Sequence, residues 1–444
     1  MLAAGLAFAP PIAEAQQGSG IVRDAETEAL LQDYVRPLFK AAGIRSPSIQ
    51  IFLIPSDGFN AFVANGRQMF VNTGTIIDSE TPGEMIGVLA HETGHLARDD
   101  LAHLRQAIED TKTAMIIASL LGMGAAVAGT IAGSPNAAAT GSGIMTGAFS
   151  VGEHSLLAYK RTQESAADRV AVDYLNATGQ SGAGLLATMK RLADENLFAS
   201  RRADPYLQSH PLPRERVIAL EGLVKESRYF GRTDAPAMQL RHEMVRAKLV
   251  GFTWPAGRVL TRYPAGDSSL PARYARAIST YRFGQLAPAV KQIDGLIAEN
   301  PGFPYFWELK GQALLETGNP KAAIEPLRKA VSLAPQSGLL KIMLGQALVA
   351  TDNKGLAGEA VKVLTVGLQA DPDASIGFRA LARAYAMQDN IAMAQLATAQ
   401  GLLADGNVKE AKTQAARAQA KLKTGSPAWL RADDIVSYNP PKLN

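Results

Sequence analysis

The clearest pattern of apolar and polar positions in this chain begins at residue 81. Apolar residues recur at helical spacing at Met85, Ile86, Val88, Leu89 and Leu96. The residues before them, Thr81-Pro82-Gly83-Glu84, favour a helix start, with a hydroxyl as N-cap, proline at the first helical position and a glutamate that closes a capping box. We predict a helix that begins here and continues through Leu104.

A second periodic pattern follows residue 268. Turn-forming residues recur every 34 positions, around Gly284, Gly318 and Asp352. A helix-turn-helix period of this length is typical of tetratricopeptide repeats. One such unit cannot bury its apolar face alone, so we expect the units to stack into a superhelix whose concave surface binds partner proteins. The alternative is that the repeats only cap the preceding domain.

Residues 113–152 contain no charged side chain. The first part, 113–133, is about long enough to cross a bilayer. Because glycines and the turn-forming Ser134-Pro135-Asn136 interrupt the stretch, we interpret 113–152 as a flexible, partly helical flap over an active site. Such a flap would contact a membrane surface or an unfolded substrate. A buried core helix is the alternative.

The first residues of the chain are apolar or small and lead to Ala13-Glu14-Ala15. This arrangement is typical of a secretory signal peptide with an A-x-A cleavage site, although no lysine or arginine precedes the apolar part. We therefore expect residues 1–15 to direct export. An apolar helix that packs on the fold is the alternative. The absence of cysteine is compatible with an oxidising compartment.

The predicted helix contains the pentapeptide His91-Glu92-Thr93-Gly94-His95. Residues four apart on a helix share a face, so both imidazoles can point at one metal ion. Glu92 lies beside them, where it can accept a proton from an activated water. This HExxH pattern on a helix is the signature of zinc metalloproteases. The chain has only six histidines, which disfavours a chance arrangement on a surface helix.

Glu164 is the candidate for the third protein ligand, because a chain without cysteine must use histidines and carboxylates. Asp168 follows one turn later in a stretch that also has helical character, and it can orient a ligand histidine through a hydrogen bond. Two solvated carboxylates are the alternative. If Glu164 and the histidines share one zinc ion, a single membrane crossing between them is excluded, because it would place them on opposite sides.

The two motifs, HETGH and ESAAD, resemble those of the gluzincin peptidases related to HtpX and the CAAX prenyl endopeptidases. Residues 60–63 with 69–74 resemble the strand pair beside the active-site helix of this family, and residues 209–213 resemble its downstream His-Pro segment. The resemblance implies a zincin-type domain with one Zn²⁺ per chain. It also implies that Glu92 acts as the general base toward a zinc-activated water.

Two further roles depend on this resemblance. Asn60, Ala61 and Phe62 would form an edge strand to which an extended peptide substrate adds, with an ordinary hairpin as the alternative. His210 would be a fourth ligand that displaces the catalytic water and keeps the enzyme latent. Two alternatives for His210 are stabilisation of the oxyanion and a plain loop histidine.

The length of 444 residues favours two or more domains, and a net charge of +4 without long basic runs disfavours a nucleic-acid partner. We predict an α+β, mostly helical protein. Its zinc metallopeptidase domain would span 16–265, followed by an all-α repeat domain at 266–444. The resemblance implies a periplasmic metalloendopeptidase that cleaves misassembled or unfolded outer-membrane proteins, its repeats binding substrates or the barrel assembly machinery. The alternative is a chaperone-like assembly factor whose zinc site is largely latent.

Overall fold

A computed structural model describes residues 21–44, 49–64, 68–100, 106, 160–198, 210, 212 and 214–440. The predicted signal peptide at 1–15 and the predicted flap at 113–152 lie outside these residues. The chain divides into two compact units between Glu243 and Met244, and residues 24–27 group with the second unit. The domain boundary predicted at 265/266 stays a prediction.

A small mixed sheet lies in the first unit. Its strands are β1 (Gln50–Ile54), β2 (Ala61–Ala64) and β3 (Gln68–Asn72), in the order β1-β3-β2. The central strand β3 pairs in parallel with β1 and antiparallel with β2. Rings from all three strands stack in one row across the sheet, with centroids 5.2 Å apart for Phe52 and Phe70 and 5.1 Å apart for Phe70 and Phe62. Such cross-strand aromatic pairs stabilise the register.

Helices make up most of the rest. Up to residue 253 they are α1 (Ala25–Ala41), α2 (Thr73–Asp78), α3 (Pro82–Arg98), α4 (160–177), α5 (Ala183–Phe198), α6 (Arg214–Lys225) and α7 (Pro236–Thr253). Among the described residues, no helix combines the length and apolar character that a membrane span requires. The described part of the chain is therefore mostly helical with one small sheet, as predicted.

Helix α3 begins as predicted and ends earlier. The Thr81 hydroxyl accepts a hydrogen bond from the Glu84 amide at 3.2 Å. The Glu84 carboxylate accepts from the amide of Glu80, one residue before the expected partner. At Asp99 the backbone turns into the left-handed region with φ 53°, so the prediction of one helix through Leu104 is wrong. A left-handed residue ends a helix because it turns the next amides away from the helical ladder.

Close contacts of small residues bring helices against α3. A Cβ added to Gly87 would lie 2.7 Å from the Leu185 Cα of α5. A Cβ added to Gly94 would lie 3.1 Å from the carbonyl oxygen of Ala167 in α4. The glycine inside the HExxH pentapeptide therefore has a packing function, since it lets the helix that carries Glu164 and Asp168 approach the histidines.

The second unit consists of successive helical pairs. Its helices after α7 are α8 (Ala256–Arg262), α9 (Leu270–Arg282), α10 (Leu286–Glu299), α11 (Pro304–Glu316), α12 (Pro320–Leu333), α13 (Gly338–Ala350), α14 (Ala357–Ala370), α15 (Ser375–Met387), α16 (Ile391–Ala404), α17 (Val408–Gln419) and α18 (Pro427–Ser437). The recurring turn residues have positive φ, at 82° for Gly284, 81° for Gly318 and 53° for Asp352. The 34-residue pattern in the sequence thus marks the turn inside each pair.

The two helices of a pair contact each other closely at glycines that recur at a regular spacing along the chain. A Cβ on Gly311 of α11 would lie 2.4 Å from the Leu327 Cγ of α12, and a Cβ on Gly345 of α13 would lie 2.3 Å from the Leu364 Cγ of α14. These glycines are 34 residues apart. Each of them makes room for a buried leucine, so the repeat period also appears in the core.

Candidate metal centre

Two imidazoles converge at the C-terminal half of α3. The Nε2 atoms of His91 and His95 lie 3.2 Å apart, and the ring planes are nearly perpendicular at 89°. His91 is completely buried, as is Glu92 beside it. The helical spacing of the HExxH residues thus produces the shared face that the sequence predicts.

Glu164 completes a triangle with the two histidines. One carboxylate oxygen lies 3.3 Å from His91 Nε2 and the other lies 3.5 Å from His95 Nε2. Ligand atoms at about 2.0–2.1 Å from a tetrahedral zinc ion are separated by roughly 3.3 Å from one another. The 3.2 Å between the two imidazole nitrogens is close to that value, as are the distances of 3.3 and 3.5 Å from each imidazole to one of the two Glu164 oxygens. The two histidines and this carboxylate therefore lie close enough to share one metal ion.

His210 lies over the same triangle. Its Nδ1 is 3.1 Å from Glu164 Oε1, and its Nε2 is 3.6 Å from Glu92 Oε1. Each of His91, His95, Glu164 and His210 offers a ligand atom, and these four atoms all lie within 4.8 Å of one another. Burial lowers the pKa of His210 to about 4 even though Glu164 is near, and the neutral imidazole is the form that can bind a metal.

Asp168 lies behind His91, as the sequence predicts. One carboxylate oxygen is 3.0 Å from His91 Nδ1. Arg216 of α6 holds the same carboxylate through Nε at 2.5 Å and Nη2 at 2.9 Å, and it reaches Glu164 through Nη1 at 2.8 Å. Burial alone would raise the pKa of Asp168, but Arg216 and His91 outweigh burial and lower it to about 2. Arg216 thus joins the carboxylate of Glu164 to the carboxylate that lies beside His91.

Glu92 has both carboxylate oxygens buried and, among the described residues, without a hydrogen-bond partner. Burial raises its pKa to about 8, since a dry environment penalises the charged form. A nearby divalent cation would favour the ionised form. An unpaired buried carboxylate beside three converging donors indicates a site built for a cation and a small polar reactant.

The motifs did not single out Asp100. Its Oδ2 atom lies 2.9 Å from His95 Nδ1, on the ring edge opposite to Nε2. The left-handed turn at Asp99 brings Asp100 back toward the helix. The prediction of a continuous helix therefore did not place Asp100 beside His95. The only signal in the sequence was a pair of acidic residues directly after the predicted histidine face.

The proposed substrate strand lies at one end of the sheet. Among the described residues β2 pairs only with β3, and it lies against α3. Ala61 is buried opposite Val71, and Phe62 pairs with Phe70. Asn60 precedes the strand, and its backbone is held by Thr75 through hydrogen bonds of 2.7 and 2.6 Å. The role of these residues in substrate binding stays a prediction.

The chain is similar to known peptidases and repeat proteins. Residues 25–224 match peptidase family M48, and residues 274–338 match a tetratricopeptide repeat. The chain is 24% identical over 439 residues to the beta-barrel assembly-enhancing protease of Escherichia coli (strain K12), which covers 95% of this chain and 86% of the relative. The protein of the same name from Yersinia pestis is 24% identical over 422 residues, with 91% and 82% covered.

A shorter match covers the protease HtpX of Chromohalobacter salexigens, with 38% identity over 82 residues, 18% of this chain and 26% of the relative. The family, the HExxH helix and the cluster of metal-binding groups point to one conclusion. This chain is a metalloprotease whose residues 25–224 match peptidase family M48 and whose second unit carries tetratricopeptide repeats.

Proposed function

We propose that this protein is a zinc-dependent metalloendopeptidase of the cell envelope that cleaves misassembled or unfolded outer-membrane proteins. The observation that carries the proposal is the cluster of His91, His95 and Glu164 beside the buried Glu92, in which the two Nε2 atoms lie 3.2 Å apart and 3.3 and 3.5 Å from one Glu164 oxygen each. Two imidazoles and one carboxylate are the protein ligands of many catalytic zinc sites, which leave a further position open.

In this proposal His91, His95 and Glu164 hold Zn²⁺. When bound, zinc polarises the scissile carbonyl and makes an attacking water more acidic. Glu92 accepts the proton of that water and passes it to the leaving amine. The buried carboxylate of Glu92 supports this role, because its oxygens accept no hydrogen bond from the described residues and the nearest imidazole nitrogen, His210 Nε2, lies 3.6 Å from Oε1. Asp168 and Arg216 keep His91 and Glu164 in place while the proton moves.

The substrate class comes from the relatives and from the repeats. The named relatives are beta-barrel assembly-enhancing proteases, which supports a role in the assembly of β-barrel proteins. A periplasmic location and outer-membrane barrels as substrates are part of the proposal. An unfolded chain would add as an extended strand through Asn60, Ala61 and Phe62, on the side of β2 that pairs with no described strand. The repeats would bind the substrate or the barrel assembly machinery on their concave surface. A peripheral membrane contact through residues 113–152 belongs to the same proposal.

The test is a Glu92→Gln variant of the full chain with an unfolded outer-membrane protein as substrate. Glu226→Gln is the matched control, because Glu226 is an exposed carboxylate of the same unit. Loss of the general base should lower kcat about 10²–10⁴-fold, whereas zinc content should stay at one ion per chain. Unchanged kcat in Glu92→Gln, or a purified chain that binds no zinc, contradicts the proposal.

A second function is favoured by the position of His210. This side chain is buried over Glu164 and lies close to Glu92, as a group that fills the fourth zinc position would. The protein would then act mainly as a chaperone-like assembly factor with a latent site. His210→Ala should raise proteolysis, including self-cleavage, if latency is correct. A large fall in activity would favour an oxyanion role, and full function of Glu92→Gln in a barrel-assembly assay would favour the scaffold.

A further inference from the structure

Both histidines on α3 have a carboxylate behind them. Asp168 lies 3.0 Å from His91 Nδ1, and Asp100 lies 2.9 Å from His95 Nδ1. The two carboxylates come from different parts of the chain, one from α4 and the other from the residue that follows the left-handed turn at Asp99. In each case the opposite ring nitrogen, Nε2, faces Glu164.

Each carboxylate is in turn held by an arginine. Asp168 is paired with Arg216, and Asp100 is paired with Arg98, whose Nε lies 3.3 Å from Asp100 Oδ1. The Arg98 Nη2 atom donates a hydrogen bond of 3.0 Å to the side chain of Gln163, the residue directly before the ligand Glu164. Asp100 is buried, with the Arg98 guanidinium beside it.

We propose that Asp100 is the positioning residue for His95. Its carboxylate accepts the Nδ1 proton of His95, which fixes the tautomer and leaves the Nε2 lone pair toward the metal. Arg98 lies beside this carboxylate and donates a hydrogen bond to Gln163, so it links Asp100 to the helix that carries Glu164 and helps the two ligands from separate helices keep their spacing. The proposal rests on metal binding by the triangle and adds a residue that the HExxH and ESAAD motifs do not contain.

The backbone conformation at Asp99 supports a specific role for Asp100 beside His95. Asp99 has φ 53°, a conformation that non-glycine residues adopt at a cost and that aspartate and asparagine tolerate best. A regular continuation of α3 would carry Asp100 around the helix, away from the His95 ring edge. The turn therefore places a carboxylate where His95 needs an acceptor.

The test measures zinc affinity by chelator competition in a Glu92→Gln background, so that the readout does not depend on proteolysis. Asp100→Ala deletes the acceptor, and Asp100→Asn keeps an acceptor of the same shape without the charge. Asp99→Asn is the matched control, because it removes an exposed charge from the neighbouring residue, and asparagine tolerates the left-handed backbone conformation. Loss of a group that orients a ligand histidine typically weakens metal binding about 10–100-fold.

We expect Asp99→Asn to bind zinc like the parent, Asp100→Ala to bind about 10–100-fold more weakly, and Asp100→Asn to lie between them. Partial rescue by asparagine separates positioning from a merely structural role. Zinc affinity of Asp100→Ala within about twofold of Asp99→Asn overturns the proposal. An equal loss in both Asp100 variants, with lower unfolding temperatures of the metal-free chains, also overturns it.

Asp100→Asn provides a second measurement that decides the matter if Asp100→Ala does not fold. The visible absorption of the Co²⁺-loaded chain reports on ligand geometry. We expect a shifted spectrum relative to Asp99→Asn, and identical spectra overturn the proposal. If the parent chain itself binds no metal, the failure lies with the zinc peptidase function and not with Asp100.

Discussion

The buried carboxyl group of Glu26 in the second unit should make the stability of that unit depend on pH. The ammonium of Lys248 lies 2.5 Å from Asp24, 2.8 Å from Glu308 and 3.5 Å from Glu26, and all four residues are largely excluded from solvent. Glu26 also accepts a hydrogen bond of 3.0 Å from the Tyr274 hydroxyl. Three carboxyl groups share one cation, and Glu26 is the farthest from it. Burial raises the pKa of Glu26 from an ordinary 4.5 to about 8.

The sign of the effect follows from proton binding. Between pH 4.5 and about 8 the unfolded chain loses this proton while the folded chain keeps it, so the free energy of unfolding falls as pH rises. A pKa rise of this size corresponds to about 5 kcal/mol at most. Glu26→Gln removes the ionisation but adds an N–H₂ group that needs an acceptor. We therefore expect the free energy of unfolding of the variant, relative to that of the parent, to rise by about 2–4 kcal/mol as the pH is raised from 5 to 8.

Urea unfolding followed by tryptophan fluorescence is a suitable assay. The three tryptophans of the chain, Trp254, Trp307 and Trp429, all lie in the second unit, so the signal reports on that unit within the full chain. Glu325→Gln is the matched control, because the Glu325 side chain is 77% exposed and lies in the same unit. The control should stay within about 0.5 kcal/mol of the parent at each pH.

Parallel pH profiles of the parent and Glu26→Gln would refute this reasoning. They would show that Glu26 is ionised in the folded state and that Lys248 stabilises all three carboxylates together. A variant less stable than the parent by the same amount at every pH would show that the amide breaks the contact with Tyr274 without any effect of ionisation.

Three other changes test separate parts of the structure. Gly345→Ala should lower the free energy of unfolding of the second unit by about 1–3 kcal/mol, because its Cβ would lie 2.3 Å from the Leu364 Cγ, and urea unfolding monitored by tryptophan fluorescence measures this; no change would mean that the helix pair separates easily. Thr81→Ala should cost about 1 kcal/mol by removing the N-cap of α3, whereas Thr81→Ser should not, as measured by thermal unfolding of the metal-loaded chain. Removal of the metal by a chelator should abolish proteolysis and lower the unfolding temperature, and zinc should restore both; activity that persists without metal would contradict the proposed chemistry.

Local sequence patterns were sufficient to predict the helix of the candidate site. The N-cap Thr81 and the shared face of His91 and His95 follow from short-range rules, because capping and the 3.6-residue period involve only neighbouring residues. The 34-residue period likewise predicted the helical pairs, since each pair repeats the same local packing, as at Gly311 and Gly345. Glu164 and Asp168 required the chemical argument that a zinc site needs more ligands and that these ligands need partners.

Contacts between segments that are distant in sequence could not be predicted from local patterns. The sequence alone determined which residues could bind a metal, their helical face and the repeat architecture, because these depend on spacing within one element. The tertiary structure decided that Arg216 joins Glu164 to Asp168, that Gly94 lets α4 approach, and that the turn at Asp99 brings Asp100 to His95. These features depend on how helices pack and where their backbones break, and burial then makes each charged contact obligatory.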